Sequence, residues 1–139
     1  MITTRRVLPG DNDFILLVDD DPTSLAIMER VLSRTFIIRS AKNAEQALDI
    51  LQERTPALII PDVMMPGVSG IDVCNLMNST ERLEEVPVIF VSACDKAQDY
   101  GNGYNAGGVM YIAKPIRPSQ PLQMVRLYSC SIEKKETVG

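Results

Sequence analysis

ALIIPDVMMPG, residues 57–67, is the stretch on which the reading of the whole chain turns. Ala57 to Ile60 form an apolar run of strand length, and MMPGVSG (64–70) is turn chemistry. Between them stand a proline and an acid. Pro61 has no N–H to give to a strand ladder, and Asp62 sets a carboxylate at the mouth of an apolar strand. A run without polar alternation fits a strand buried on both faces, as in parallel sheets covered by helices. An acid just beyond the C-terminal end of such a strand stands where open α/β sheets hold their ligands.

The same arrangement recurs on either side. FILLV (14–18) is a fully apolar strand run, followed by Asp19, Asp20 and Asp21. From Pro22 the period becomes helical, with Leu25, Met28 and Leu32 on one face; Asp21-Pro22 is a helix start with Asp21 as cap. FIIRSA (36–41) reads as a second strand. NAEQALDILQER (43–54) reads as a helix capped by Asn43, with Ala44, Ala47, Leu48 and Leu51 facing one way. A helix is expected from Ile71 to about Thr80 and a strand in VPVIFVSA (86–93). DKAQDYGNGYNAGG (95–108) is weakly helical, since Gly101 and Gly103 each cost roughly 1 kcal/mol against Ala. VMYIA (109–113) gives a fifth strand, ending in Lys114-Pro115. A last helix from about Pro118 carries Leu122, Met124, Val125 and Leu127, with Pro118 and Pro121 confined to its first turn.

The order is therefore βαβαβαβαβα. Residues 1–12 form a polar leader, 13–130 one domain, and 131–139 a polar tail or the start of a linker. Right-handed crossovers leave a five-stranded, parallel, doubly wound α/β sheet as the leading architecture. At 139 residues the chain is long enough for one core and short for two.

Composition removes several chemistries. There is no histidine, so His-based triads and His metal sites are excluded. Cys74, Cys94 and Cys130 are odd in number and form no CxxC pair, which argues against disulfides or zinc and for a reducing, cytoplasmic setting. A net charge of −4 speaks against nucleic acid as a partner of this domain. No run approaches the roughly 18 apolar residues of a membrane span, so no membrane contact is expected.

The residues at the strand ends are the informative set. Asp19 and Asp20 come after the first strand and Asp62 after the third. Ser92 ends the fourth, and Lys114 the fifth. Three carboxylates drawn together raise one another's pKa unless a cation neutralises them, and Mg2+ suits an all-oxygen set. Lys114 is a point charge for a phosphoryl group, and the Ser92 hydroxyl can donate to one of its oxygens. A carboxylate beside Mg2+ and a lysine can act as a phosphoryl acceptor, so the constellation points to phosphoryl transfer onto Asp62.

ILLVDDDP (15–22), DVMMPGVSG (62–70), VIFVSA (88–93) and YIAKPI (111–116) together resemble the four signature segments of response-regulator receiver domains. The resemblance covers about residues 13–130. It implies the flavodoxin-like (βα)5 fold with strand order 2-1-3-4-5. It implies Asp62 as phosphoacceptor, with Mg2+ held by Asp19, Asp20, Asp62 and the Met64 backbone carbonyl. Ser92 then matches the switch hydroxyl, Tyr111 the aromatic switch, and Lys114 the lysine that precedes a cis-proline. The implied donor is a histidine kinase or phosphotransfer protein. The implied output is an effector, or a second copy, bound on the face of helix 4, strand 5 and helix 5.

Three departures stand out. Pro61 replaces an aliphatic residue able to donate to the sheet, Val109 and Met110 replace an acidic pair, and the fourth helix is weakened by glycine. Met64 and Cys94, two residues beyond Asp62 and Ser92, are poor at orienting an attacking water, which suggests slow self-dephosphorylation. A phosphorylation-independent interaction module on the same fold is the alternative reading. A small Mg2+-dependent phosphohydrolase would need a second acid near Asp62 that DVMMP lacks. Asp19 and Asp20 taken alone would read as a solvated turn, and Tyr111 as a packing aromatic.

Overall fold

The computed structural model describes residues 14–65, 67–93 and 110–127. The expected leader, fourth helix and tail, together with Cys94, Val109 and Cys130, lie outside the described residues.

Five strands and four helices appear among the described residues. They are β1 (Phe14–Val18), α1 (Pro22–Leu32), β2 (Ile37–Ala41), α2 (Ala44–Glu53), β3 (Leu58–Pro61), α3 (Gly70–Asn78), β4 (Ile89–Ala93) and β5 (Met110–Lys114). A C-terminal helix runs over 119–127. Local chemistry sets the helix starts. Asp21 caps α1 by accepting the Thr23 N–H at 3.1 Å, with Pro22 in the first turn, where its missing N–H costs nothing. Asn43 caps α2 through the Gln46 N–H at 2.8 Å. Ser69 and Asp72 form a reciprocal capping box at the start of α3, which begins one residue earlier than the apolar spacing suggests. Pro121 falls in the first turn of the C-terminal helix, and Pro118 precedes it.

β1 lies between β2 and β3, parallel to both, and β4 pairs in parallel with β5. All five β1 side chains are buried, because helices cover both faces of the sheet. Ile15, Leu17, Leu58 and Ile60 pack with Leu25, Met28 and Leu32 of α1 and Val125 of the C-terminal helix. On the opposite face Phe14, Leu16, Val18 and Ile59 meet Ala44, Ala47 and Leu51 of α2 and Val73 and Met77 of α3. Each fully buried aliphatic of this kind contributes about 1.5–3 kcal/mol. The parity of β1 residues thus decides which helix pair each one supports.

β3 and β4 meet through two parallel bridges, Ile59↔Val88 and Asp62↔Val91, which gives the order 2-1-3-4-5 across the sheet. The thinness of this junction has a local cause. The Ile59 N–H donates to the Pro87 carbonyl at 3.1 Å and the Val63 N–H to the Val91 carbonyl at 2.8 Å. In a parallel ladder every second N–H points to the same neighbour, so residue 61 should donate to Ile89. Pro61 has no N–H, and that rung is missing. β3 runs one residue past the apolar run and ends on Pro61. Pairing does not stop there, however: it resumes at Asp62 and Val63 on the β4 side. The proline makes a gap inside the junction and does not mark its end.

Candidate functional site

The C-terminal edge of the sheet gathers the residues singled out by the sequence. Asp19 extends β1, and its N–H still donates to the Ala41 carbonyl at 3.1 Å. Asp62 extends β3 and donates its N–H to the Val18 carbonyl at 2.7 Å. Asp19 continues the central strand and Asp62 is tied to that strand by its backbone, which fixes the separation of their side chains. Both are almost wholly buried, at 0% and 2% exposure. Asp20 points outward and is exposed. One carboxylate oxygen from each of Asp19, Asp20 and Asp62 lies within 4.8 Å of the others.

Lys114 ends β5 and reaches across the sheet edge. Its Nζ donates to Asp62 Oδ2 at 3.0 Å and to Asp19 Oδ1 at 3.2 Å, and Asp21 Oδ2 stands 4.0 Å away. The Lys114–Pro115 peptide is cis, as the resemblance implies. Asp62 Oδ1 accepts the Met64 N–H at 3.1 Å, and Asp19 Oδ1 accepts the Asp21 N–H at 2.9 Å. The Met64 side chain is 49% exposed, whereas Met65 is buried in the core, so the two methionines serve different surroundings.

Ser92 is buried on β4, one residue after Val91, the partner of Asp62 across the β3–β4 junction. Tyr111 on β5 is half-buried, and its ring stacks on Phe90 with centroids 5.6 Å apart. Ser92 and Tyr111 thus lie on directly paired strands.

Electrostatics follows from this enclosure. Burial pushes the Asp19 carboxyl up from 3.8 to about 7; the Asp21 N–H and the Lys114 charge oppose the rise, and the Asp62 charge adds to it. Burial works against the Lys114 ammonium, but the hydrogen bond to Asp62 and the charges of both acids outweigh it and hold its pKa above the ordinary lysine value. The Ser24 hydroxyl and the Thr23 N–H keep Asp21 below the usual carboxylate range, consistent with its work as a cap.

The donor set fits a hard divalent cation. All its side-chain donors are carboxylate oxygens, and one of them, Asp19 Oδ2, is buried without a hydrogen-bond partner. A buried oxygen left in that state costs free energy that a cation would recover. A cleft of about 310 Å3 opens over Asp19 and Asp20 beside Pro22, Ala26 and Lys42, which gives access from solvent.

Two features of the site were not singled out from sequence. Asp21 belongs electrostatically to the cluster as well as to the helix start. Gly70 backs directly onto Asp62: a Cβ built there would lie 2.3 Å from the Asp62 carbonyl oxygen. The small residue after the Ser69 cap is the only sequence signal of that contact.

Comparison with known proteins agrees with this geometry. Residues 15–126 match the family described as response regulator receiver domain. Response regulator Rre1 of Synechocystis is 35% identical over 81% of this chain and 49% of its own length. The DNA-binding response regulator MtrA of Mycolicibacterium smegmatis is 35% identical over 81% of this chain and 48% of its own. The chain spans 26% to 50% of the length of such curated relatives. The structure of the chemotaxis response regulator CheY4 of Vibrio cholerae superposes with a TM-score of 0.73 at 21% identity, covering 81% of this chain and 95% of that one, and so attests the fold. With four signature segments, a parallel sheet in the order 2-1-3-4-5 and a match over residues 15–126, the chain belongs to the response regulator receiver domain family.

Proposed function

We propose that Asp62 accepts a phosphoryl group from the phosphohistidine of a histidine kinase or phosphotransfer protein, in the cytoplasm. A carboxylate oxygen of Asp62 forms the new P–O bond as the P–N bond to the donor imidazole breaks. The observation that carries this reading is the Lys114 bridge: one ammonium holds Asp62 and Asp19 at 3.0 and 3.2 Å while Asp19 Oδ2 stays buried and unpartnered. Asp19, Asp20, Asp62 and the Met64 carbonyl would hold Mg2+, which supplies charge neutralisation for the equatorial phosphoryl oxygens. Lys114 orients the acceptor and stays as counter-charge to the phosphoryl group. Ser92 donates to a phosphoryl oxygen, and the Tyr111 ring responds on the neighbouring strand. The added negative charge biases the face around β5 and its flanking helices toward an effector or a second copy.

Acetyl phosphate is the direct probe. Wild-type protein with Mg2+ takes the label and Asp62→Asn does not; undiminished labelling of D62N would remove Asp62 from the role. Wild-type protein that takes no label and shows no thermal shift with Mg2+ would instead be a phosphorylation-independent interaction module.

A further inference from the structure

We propose that Lys114 sets the cation preference of the site: its ammonium engages one oxygen of each buried acid, so each acid offers a metal a single oxygen, which suits Mg2+ and disfavours Ca2+. The inference rests on the reading of Asp19, Asp20 and Asp62 as ligands of a divalent ion. The two ions differ in what they ask of a carboxylate. Ca2+ takes about 6–8 oxygens, often two from one carboxylate, whereas Mg2+ takes about six in near-octahedral geometry and keeps several as water.

The hydrogen bonds on the two acids decide which demand can be met. Asp19 Oδ1 accepts the Asp21 N–H at 2.9 Å and Lys114 Nζ at 3.2 Å. A carboxylate oxygen has two lone pairs, so this one is filled. Asp19 Oδ2, buried and without a hydrogen-bond partner, is the oxygen left for an ion. Asp62 divides in the same sense: Oδ1 accepts the Met64 N–H at 3.1 Å, and Oδ2 accepts Lys114 Nζ at 3.0 Å. An ion gripped by both Asp62 oxygens would share Oδ2 with the ammonium. Asp62 is 2% exposed, so water screens that repulsion little. An ion on Oδ1 alone avoids the shared oxygen. Water completes the shell of Mg2+ around two such single-oxygen acids, but Ca2+ loses the two-oxygen grips that fill its larger shell. Asp20 is exposed at the rim and serves either ion. Lys42 supplies the contrast. It lines the cleft beside Asp19 and Asp20 and is exposed, so its removal changes the charge near the site and leaves the oxygens of Asp19 and Asp62 engaged as before.

Calorimetric titration of the metal-free protein with Mg2+ alone and with Ca2+ alone gives the ratio of the two affinities for wild type, Lys114→Met and Lys42→Met. Wild type should bind Mg2+ several-fold more tightly than Ca2+. K42M should tighten both ions alike and leave the ratio unchanged. K114M should tighten Ca2+ about tenfold more than Mg2+, since added carboxylate oxygens tune Ca2+ sites over decades in affinity. A K114M ratio equal to that of wild type overturns the inference. So does a K42M ratio that moves as far as that of K114M, because charge alone would then account for it. If K114M fails to fold, wild type decides: Mg2+ bound several-fold more tightly supports the proposal, and Ca2+ bound as tightly as Mg2+ overturns it. Acetyl phosphate labelling separates this inference from the acceptor reading. A labelled wild type with an unmoved K114M ratio loses this inference alone, and a wild type that binds neither ion and takes no label loses both.

Discussion

Replacing Lys114 by methionine tests the electrostatic logic of the site, because one ammonium neutralises two enclosed carboxylates. Lys114 Nζ lies 3.0 Å from Asp62 and 3.2 Å from Asp19, and those acids are 2% and 0% exposed. Methionine keeps most of the stem and removes the charge. Breaking a buried pair by deleting one partner costs about 3–5 kcal/mol. The lower end applies here, since the lysine side chain is 21% exposed and already partly solvated. The cost also depends on pH. Burial already holds Asp19 near 7, and loss of the Lys114 charge raises it further, so Asp19 takes up a proton below that range and relieves the repulsion. We expect metal-free K114M to lose about 3 kcal/mol at pH 8, roughly 10 °C in Tm for a domain of this size, and clearly less at pH 6. Saturating Mg2+ should recover part of the loss, because it neutralises the same oxygens. Thermal melts by circular dichroism at the two pH values, with and without Mg2+, read all of this. A K114M deficit that is absent, or equal at pH 6 and pH 8, would show that the Lys114 charge does not neutralise these acids.

Three further outcomes are expected of the same structure. Asp19 has a folded pKa of about 7 against 3.8, so between those values the native state holds a proton that the unfolded chain releases, and stability of the metal-free protein must fall as pH rises. The fall, up to roughly 3 kcal/mol, should appear in urea melts between pH 5 and pH 8 and be blunted by Mg2+; stability rising over that window contradicts it. Met28→Ala, at a position with 0% exposure between α1 and the sheet, should cost about 2–5 kcal/mol, while Leu76→Ala, 48% exposed on α3, should stay within about 0.5 kcal/mol by the same melts. Asn43→Ala removes the α2 cap and should cost about 1 kcal/mol with Mg2+ affinity by titration calorimetry unchanged.

How much of the molecule was legible in the sequence differs from feature to feature. The strand runs FILLV and ALII, the caps Asp21 and Asn43 and the order of the described elements all rest on local chemistry, and the structure agrees with them to within a residue or so. The meeting of Asp19, Asp20, Asp62 and Lys114 was legible because they stand at the ends of apolar runs, and in a parallel sheet the C-terminal ends of the strands share one edge. The Asp21 proximity to Lys114 and the Gly70 contact were not legible. Each joins residues whose separation is set by how β5 or α3 lies against β1 and β3.

Pro61 shows the division most clearly. That residue 61 has no donor and that Asp62 comes next at a strand end are properties of the residues in place. Burial on both faces follows from the sequence as well, because an unbroken apolar run leaves no polar side to turn outward. Which neighbour loses the rung depends on how the strands pair. N–H groups alternate between neighbours along a parallel strand, and only the pairing of Ile59 with Pro87 and of Val63 with Val91 places the gap toward β4 and not β1. Asp62 keeps its tie to Val18 for the same reason.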